Sequence, residues 1–177
     1  IIVPPARQLN VMVVTEGNIF LTRAMRGIPT QELKVVKPSE YESAIPDNMD
    51  LIVFDRYFPR ELPDAGSFIY FASTPPESKL KPVVEDDGRI RFLGEPQVID
   101  WRREHPILNA LRFNELTIQE TMQLDFPLES QVLMDSDRGP LMILYREGRK
   151  AHLVVGFDIL SSDWVFNSSY PIFMLQA

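Results

Sequence analysis

Residues 11–27 constrain the fold of this 177-residue chain more than any other stretch. Four consecutive apolar residues at 11–14 predict a short strand, and the polar residues after them predict a tight turn. Asn18 is a favoured helix N-cap, because its side-chain oxygen accepts one of the amide hydrogens that the first helical turn leaves free. Gly27 and Pro29 predict where the helix ends. The stretch therefore predicts the first half of a strand–helix–strand unit.

The rest of the chain alternates strand and helix signals before it becomes rich in strands. Residues 50–55 predict the clearest buried strand, because its centre is continuously apolar, as in parallel strands covered on both faces. Further strands are predicted at residues 33–36 and 67–72, and Glu147 with Gly148 predicts the turn of an antiparallel pair. This order predicts an α/β sandwich whose sheet is parallel in the middle and antiparallel at its C-terminal edge.

The length suits one domain that spans residues 1–177. Residues from about 78 to 101 differ from their surroundings, because Asp87 and Gly88 predict a hairpin turn, so we expect a small β insertion there. Pro4 and Pro5 predict an irregular lead-in. The chain starts without an initiator methionine and stops within an apolar pattern, so we expect it to be excised from a longer protein.

Composition excludes several classes of function. The net charge of −7 argues against nucleic acid and against anionic membrane surfaces as partners. The absence of cysteine excludes disulfides, thiolate nucleophiles and thiolate metal sites. No stretch reaches the roughly 20 apolar residues that a membrane-spanning helix needs.

Charged and polar residues follow the predicted strands. In open α/β sheets ligands bind outside the carboxyl ends of the strands, so these residues are expected to share one rim. The candidate ligand or interface residues are Glu16, Asn18, Asp55, Arg56, Ser73 and Asp158. Helix capping and mutual pairing are the simpler explanation for the charged members. The first turn has one glycine and a glutamate that would repel phosphate, so it matches neither a dinucleotide fingerprint nor a P-loop.

Catalytic and metal-binding patterns are weak. Ser73 follows a strand, but a serine nucleophile needs a base within hydrogen-bond reach. The two histidines, His105 in a loop and His152 in a strand, stand in no recognisable motif. The carboxylates of Asp135 and Asp137 lack the pattern of a calcium loop and are better explained as a solvated turn. We therefore expect no metal and no cofactor.

Two stretches together resemble a known family. They are residues 11–21 and residues 139–163, the latter running on to 170–173, with residues 50–55 and His105-Pro106 between them in the expected order. Nearly the whole chain resembles the class I glutamine amidotransferase-like domain of bacterial membrane-anchored proteins that also carry a von Willebrand factor A module, the aerotolerance-type group. The resemblance implies a flavodoxin-like, three-layer sandwich.

Active enzymes of that superfamily use a cysteine on an elbow after a strand and a histidine after a late strand. The resemblance places Ser73 or a neighbour at the elbow and Asp158 where the histidine stands, and this chain has no cysteine. Release of ammonia from glutamine through a thioester needs a thiolate. The resemblance therefore implies a pseudoenzyme, in which the fold is kept and the reaction is lost.

We accordingly expect a non-catalytic module of a larger membrane-associated bacterial protein that acts in binding or assembly. Its partners are expected to be other proteins or neighbouring domains of the same chain, with membrane contact only through missing flanking segments. The expected location is the cell envelope, as a soluble domain of a membrane-anchored protein. Two alternatives stay open, namely a small-ligand sensor at the strand ends and a hydrolase that depends on Ser73.

Overall fold

The computed structural model describes residues 8–177, so the predicted lead-in with Pro4 and Pro5 lies outside the described residues. Its strands are β1 Leu9–Val14, β2 Thr30–Val36, β3 Leu51–Asp55, β4 Gly66–Phe71, β5 Lys81–Pro82, β6 Phe92–Gly94, β7 Val98–Trp101, β8 Glu120–Met122, β9 Leu124–Asp125, β10 Gln131–Ser136, β11 Gly139–Glu147 and β12 Lys150–Val155. Its helices are α1 Ile19–Arg26, α2 Pro38–Ser43 and α3 Ser169–Gln176. Single 3-10 turns occupy Pro106–Leu108, Ile159–Ser161 and Trp164–Phe166.

An eight-stranded sheet forms the centre of the molecule, in the order β2-β1-β3-β4-β12-β11-β10-β7. Strands β2, β1, β3, β4 and β12 run parallel to one another, whereas β11, β10 and β7 continue the sheet with antiparallel pairing. The prediction of an α/β fold with a mostly parallel sheet and an antiparallel C-terminal edge is therefore confirmed. Two small antiparallel sheets, β5 with β9 and β6 with β8, lie beside it.

Both faces of the sheet are buried, which explains the continuously apolar strands. Every residue of β3 is buried, and alternate side chains of that strand enter two different hydrophobic clusters. One cluster includes residues of α1 and α3 and centres on Trp164, whose ring contacts several aromatic neighbours. The other cluster contains Tyr41 of α2 together with Phe54 and Tyr70. Because α2 is short, loops cover much of this second face.

Two segments show details that the sequence did not predict. The short second helix begins at Pro38, because Glu40 accepts a hydrogen bond from the backbone of Lys37 and so caps the helix there. The segment predicted as an insertion does turn at Asp87 and Gly88, with Val84 bridged to a residue beyond the turn. Its last part is strand β7, which pairs with β10 and so belongs to the main sheet.

Candidate functional site

The carboxyl ends of β1, β3, β4 and β12 lie side by side, because these strands are parallel neighbours in the sheet. The turn that contains Thr15 and Asn18 follows β1, Asp55 ends β3, and Asp158 comes three residues after β12. This arrangement brings together the polar residues that the sequence predicted to lie at the carboxyl ends of the parallel strands.

Asp55 is the centre of the cluster, and its side chain is fully buried. The hydroxyl of Thr15 donates to Oδ2 of Asp55 at 2.6 Å, and Nδ2 of Asn18 donates to Oδ1 at 3.1 Å. Arg56 adds a longer charge-assisted contact, with Nη2 3.4 Å from Oδ2. A buried carboxylate needs such partners, so Asp55 holds the ends of β1 and β3 and the start of α1 in one arrangement.

Asn18 links this cluster to a helix. Its Oδ1 accepts from the backbone amide of Leu21, the N-cap interaction expected from the sequence, while its Nδ2 binds Asp55. Gly17 makes the turn possible, because its φ of +135° is a conformation that residues with a Cβ rarely adopt. Its amide also donates to the hydroxyl of Thr15.

Arg56 connects two carboxylates that lie far apart in the chain. Its Nη2 is 3.4 Å from Asp55 and its Nη1 is 3.5 Å from Asp158, and its side chain is partly exposed. The backbone of Arg56 is left-handed, with a φ of +53°, which is uncommon for a residue with a long side chain. Burial raises the pKa of Asp158, and the hydrogen bond from Leu160 and the charge of Arg56 act in the opposite direction.

An open cleft of about 550 Å³ adjoins the cluster. Its lining residues are Glu16, Pro38, Asp55, Arg56 and Tyr57. Glu16 is exposed at this position and faces the same space as Arg56. Two acidic side chains and one basic side chain thus border the cleft, which makes it a poor site for a phosphate and a better one for a group with a positive charge.

Ser73 occupies a different environment from the other candidates. It is fully buried, and its hydroxyl has no hydrogen-bond partner among residues 8–177. The left-handed residue at the turn after β4 is Ala72, with a φ of +47°. The strained elbow position therefore carries a methyl group, and Ser73 follows it.

Neither histidine makes a hydrogen bond with Ser73. His152 stands opposite Phe68 in the sheet, its Nδ1 is 3.1 Å from the hydroxyl of Tyr70, and its Nε2 has no hydrogen-bond partner among residues 8–177. His105 lines a cavity with Leu51 at the start of β3, at the other end of the sheet. The structure therefore places no imidazole within hydrogen-bond reach of this hydroxyl.

Tyr170 is a member of the site that sequence reasoning missed. Burial, with a smaller contribution from the charge of Asp55, raises the pKa of Tyr170 above its ordinary value. Its hydroxyl is buried and has no hydrogen-bond partner in the described part of the chain. No local signal identifies this residue, because it reaches the strand ends only through the packing of α3.

Apolar side chains border the charged cluster. Ile19, next to the N-cap Asn18, is 57% exposed, and Phe166 is 81% exposed. The ring of Phe20 packs edge-on against Phe166, with centroids 5.8 Å apart. Leu160, which donates its amide to Asp158, is also exposed. We call the area formed by these side chains and the exposed part of the charged cluster the rim surface; its members are Ile19, Arg56, Asp158, Leu160 and Phe166, and Asp55 lies buried beneath it.

Metal ligands are not grouped in the described residues 8–177, where no three His, Cys, Asp or Glu side chains are placed to hold one ion. Asp135 and Asp137 flank a tight turn, in which the hydroxyl of Ser136 donates to the carbonyl of Gly139. The carboxylate of Asp137 accepts a hydrogen bond from the backbone amide of Gln97. The explanation of this segment as a turn accounts for its contacts.

The fold has known counterparts although the sequence does not. No protein-family model and no curated protein matches this chain. A solved structure of a cytoplasmic protein from Salmonella typhimurium is similar with a TM-score of 0.72 and 12% identity, covering 95% of this chain and 98% of that one. A second cytoplasmic protein, from Salmonella typhimurium LT2, gives 0.69 and 9% identity over 95% and 97%. A ThuA-like protein from Bacteroides uniformis gives 0.62 and 12% identity over 98% and 93%.

The predicted location in the cell envelope is contradicted by these findings. The first two structural neighbours are both named as cytoplasmic proteins. Within residues 8–177, no helix combines the length and the apolar character needed to cross a membrane. The prediction of a location in the cell envelope, as a soluble domain of a membrane-anchored protein, is therefore wrong.

Proposed function

We propose that this chain is a non-catalytic protein-binding module, and that the rim surface is where its partner docks. The observation that carries the proposal is the position of Phe166, an aromatic side chain that is 81% exposed beside a charged cluster. Large exposed apolar side chains next to fixed polar groups are typical of protein–protein interfaces, where aromatic residues supply much of the binding energy.

The charged part of the rim surface supports a particular kind of partner. Asp158 and the nearby Glu16 supply two carboxylates, Arg56 supplies one guanidinium, and the buried carboxylate of Asp55 lies beneath them. The excess negative charge favours a partner that presents a lysine or arginine next to an apolar side chain. The apolar side chain would pack on Phe166 and Ile19, and the basic group would enter the cleft beside Asp55.

Three observations support the non-catalytic part of the proposal. The chain has no cysteine. The elbow position after β4 is Ala72, and Ser73 is buried without a hydrogen bond to either histidine. The carboxylate of Asp158, which follows β12, pairs with Arg56. These groups hold the strand ends together, and an attack on a carbonyl would need a nucleophile and a base placed side by side.

We also propose that the fold is the flavodoxin-like sandwich of the class I glutamine amidotransferase-like proteins, with the layer over one face reduced to α2 and loops. Likeness to a ThuA-like protein supports this proposal, because ThuA-like proteins have that fold. None of the structural neighbours bears on an association with a von Willebrand factor A module, which stays a prediction from the resemblance alone.

Cross-linking followed by affinity purification from cells that produce the protein tests the proposal. We expect one specific partner to be recovered with wild type, and its recovery to fall at least about tenfold when Ile19 and Phe166 are both changed to Ser, as for interface hot spots. Both positions are exposed, so the double variant should fold normally. Leu128→Ser is the matched control, because Leu128 is fully exposed outside the rim surface.

Equal recovery of the partner with wild type and with the double variant would contradict the assignment of the surface. The non-catalytic part is tested separately by an esterase, amidase and glutaminase screen that compares wild type with Ser73→Ala. Turnover that is present in wild type and lost in Ser73→Ala would contradict it and favour the hydrolase alternative.

A small-ligand sensor is the second candidate function, and the cleft of about 550 Å³ beside Arg56 favours it. Such a volume falls within the range of small-molecule sites. A ligand that binds only the folded protein raises its melting temperature. A thermal-shift screen therefore identifies this function, provided that the shift disappears in Arg56→Gln and persists in the double variant at Ile19 and Phe166.

A further inference from the structure

A second cavity lies at the opposite end of the sheet from the rim surface. Leu51, Ser67 and Ala151, at or next to the starts of β3, β4 and β12, line it, and its volume is about 270 Å³. We call it the amino-end cavity. This volume is just below the ~300 Å³ at which ligand pockets usually begin, so any occupant is a small organic molecule.

The walls of the amino-end cavity are mostly apolar. Leu51, Ile69, Leu144 and Leu153 belong to the hydrophobic cluster that packs under α1 and α3, and the cavity extends from this cluster toward solvent. Apolar lining gives an occupant a hydrophobic driving force that grows with the apolar area it removes from water.

The ionisable side chains that line this cavity are both basic. They are His105 and Arg146, and no acidic residue is among the lining residues. Arg146 is exposed and forms no ion pair with any residue in the range 8–177, and the same holds for Arg149 in the same hairpin, whereas Arg138 pairs with Asp137. An unpaired guanidinium beside an apolar cavity is complementary to an anion with an apolar tail.

The hydrogen bonding of His105 provides a second donor. Its Nδ1 accepts from the backbone amide of Ile107 at 3.4 Å, so in the neutral ring the proton is on Nε2. Burial, followed by the charges of Arg102 and Arg146, lowers the pKa of His105, which keeps the ring neutral at pH 7. Nε2–H is therefore available to an acceptor oxygen. The hydroxyl of Ser67 is a third polar group at the same cavity.

We propose that the amino-end cavity binds a small organic monocarboxylate, with its acyl or aryl tail among the leucines and its carboxylate against Arg146 and His105. An amine of the same size would be repelled by Arg146. An alcohol would gain the apolar contacts but would lack the charge-assisted hydrogen bonds. The site is separate from the rim surface, so this proposal does not depend on the proposed function.

Hexanoate, hexan-1-ol and hexylammonium form a matched probe series, because they share one tail and differ in the head group. We expect hexanoate to bind the full chain at least about tenfold more tightly than hexan-1-ol, as hydrogen bonds to a charged group allow. We expect no binding of hexylammonium. Isothermal titration calorimetry measures the affinities.

Proton NMR locates the bound probe. The chain has only two histidines, so their ring signals can be told apart. We expect hexanoate to shift the ring signals of His105 and to leave those of His152 unchanged.

Arg146→Gln tests the role of the guanidinium. Both Arg146 and the control residue Arg149 are exposed in the same hairpin, so neither substitution should affect folding. We expect Arg146→Gln to weaken hexanoate at least about tenfold and leave hexan-1-ol unchanged, and Arg149→Gln to change neither. The proposal is overturned if hexanoate does not bind, if it binds no better than hexan-1-ol, if Arg146→Gln leaves its affinity intact, or if the ring signals of His105 do not respond.

Discussion

Asp55 combines full burial of its side chain with three donors, two from the turn after β1 and one from the adjacent Arg56. Asp55→Asn removes the charge and replaces an acceptor oxygen by an NH2 group that faces the donors of Thr15 or Asn18. Leaving buried donors unpaired and breaking the contact with Arg56 should destabilise the protein by about 2–4 kcal/mol. Urea denaturation followed by circular dichroism measures the change.

Asp100→Asn is the matched control, because Asp100 also pairs with an arginine, Arg103, but is 71% exposed in its side chain. Exposed ion pairs contribute little, so this variant should lie within about 0.5 kcal/mol of wild type. If Asp55→Asn were equally mild, Asp55 would not be what holds the ends of β1 and β3 together.

Most of the polar side chains at this site could be predicted from the sequence. The rule that sites lie at the carboxyl ends of parallel strands requires only that the strands and their order be known. Asn18, Asp55 and Asp158 follow apolar runs that form neighbouring parallel strands, so their proximity could be predicted. Ser73 satisfies the same rule, yet the turn after β4 directs it into the core. Tyr170 could not be predicted, because its position depends on how α3 packs on the sheet.

The end of β12 is packed tightly against strand β8. A Cβ added to Gly156 would lie 2.7 Å from Oγ1 of Thr121 and 3.4 Å from the carbonyl of Met122, and Met122 donates its amide to the carbonyl of Gly156. Gly156→Ala should therefore destabilise the protein by about 1–3 kcal/mol, because the two backbones must separate. Thermal or urea unfolding measures the loss.

A double-mutant cycle shows whether Thr121 is the obstacle. Thr121→Ala removes the nearest atom, so the double variant Gly156→Ala/Thr121→Ala should recover about 1 kcal/mol relative to the sum of the single changes. Gly94→Ala serves as a control, because a Cβ at Gly94 meets nothing within 4 Å. Additive single changes would mean that the strain comes from the backbone alone.

Prediction of strands from the sequence succeeded where the local pattern and the tertiary environment agree. The continuous apolar run of β3 follows from burial on both faces, and the hairpin between β11 and β12 follows from its turn at Glu147 and Gly148. Strand β7 lies at the end of the segment that the turn signal at Asp87 and Gly88 predicted to be an insertion. Its place at the sheet edge depends on pairing with β10, more than 30 residues later, which no local signal encodes.

The whole molecule contains a buried base that couples its folding to pH. His152 lies in the central sheet, where its ring stacks on Phe68 and its Nδ1 is 3.1 Å from the hydroxyl of Tyr70. Burial, with a smaller contribution from Lys150, lowers the pKa of His152 to about 4. The pKa of His105 is lowered as well. Both rings are therefore easier to protonate in the unfolded chain than in the folded one.

The sign of the pH dependence follows from this difference. The contribution of His152 to stability is fully present above the unfolded pKa of about 6.5, and it is lost as the pH falls toward the folded value. At about 1.4 kcal/mol per pKa unit, the loss between pH 6.5 and pH 4 should be roughly 3 kcal/mol. Urea midpoints measured across this range should fall for wild type and should fall less steeply for His152→Gln. Identical slopes, or an NMR titration of the His152 ring with a midpoint near 6.5, would mean that water reaches the sheet at this position and that the ring is not held neutral by burial.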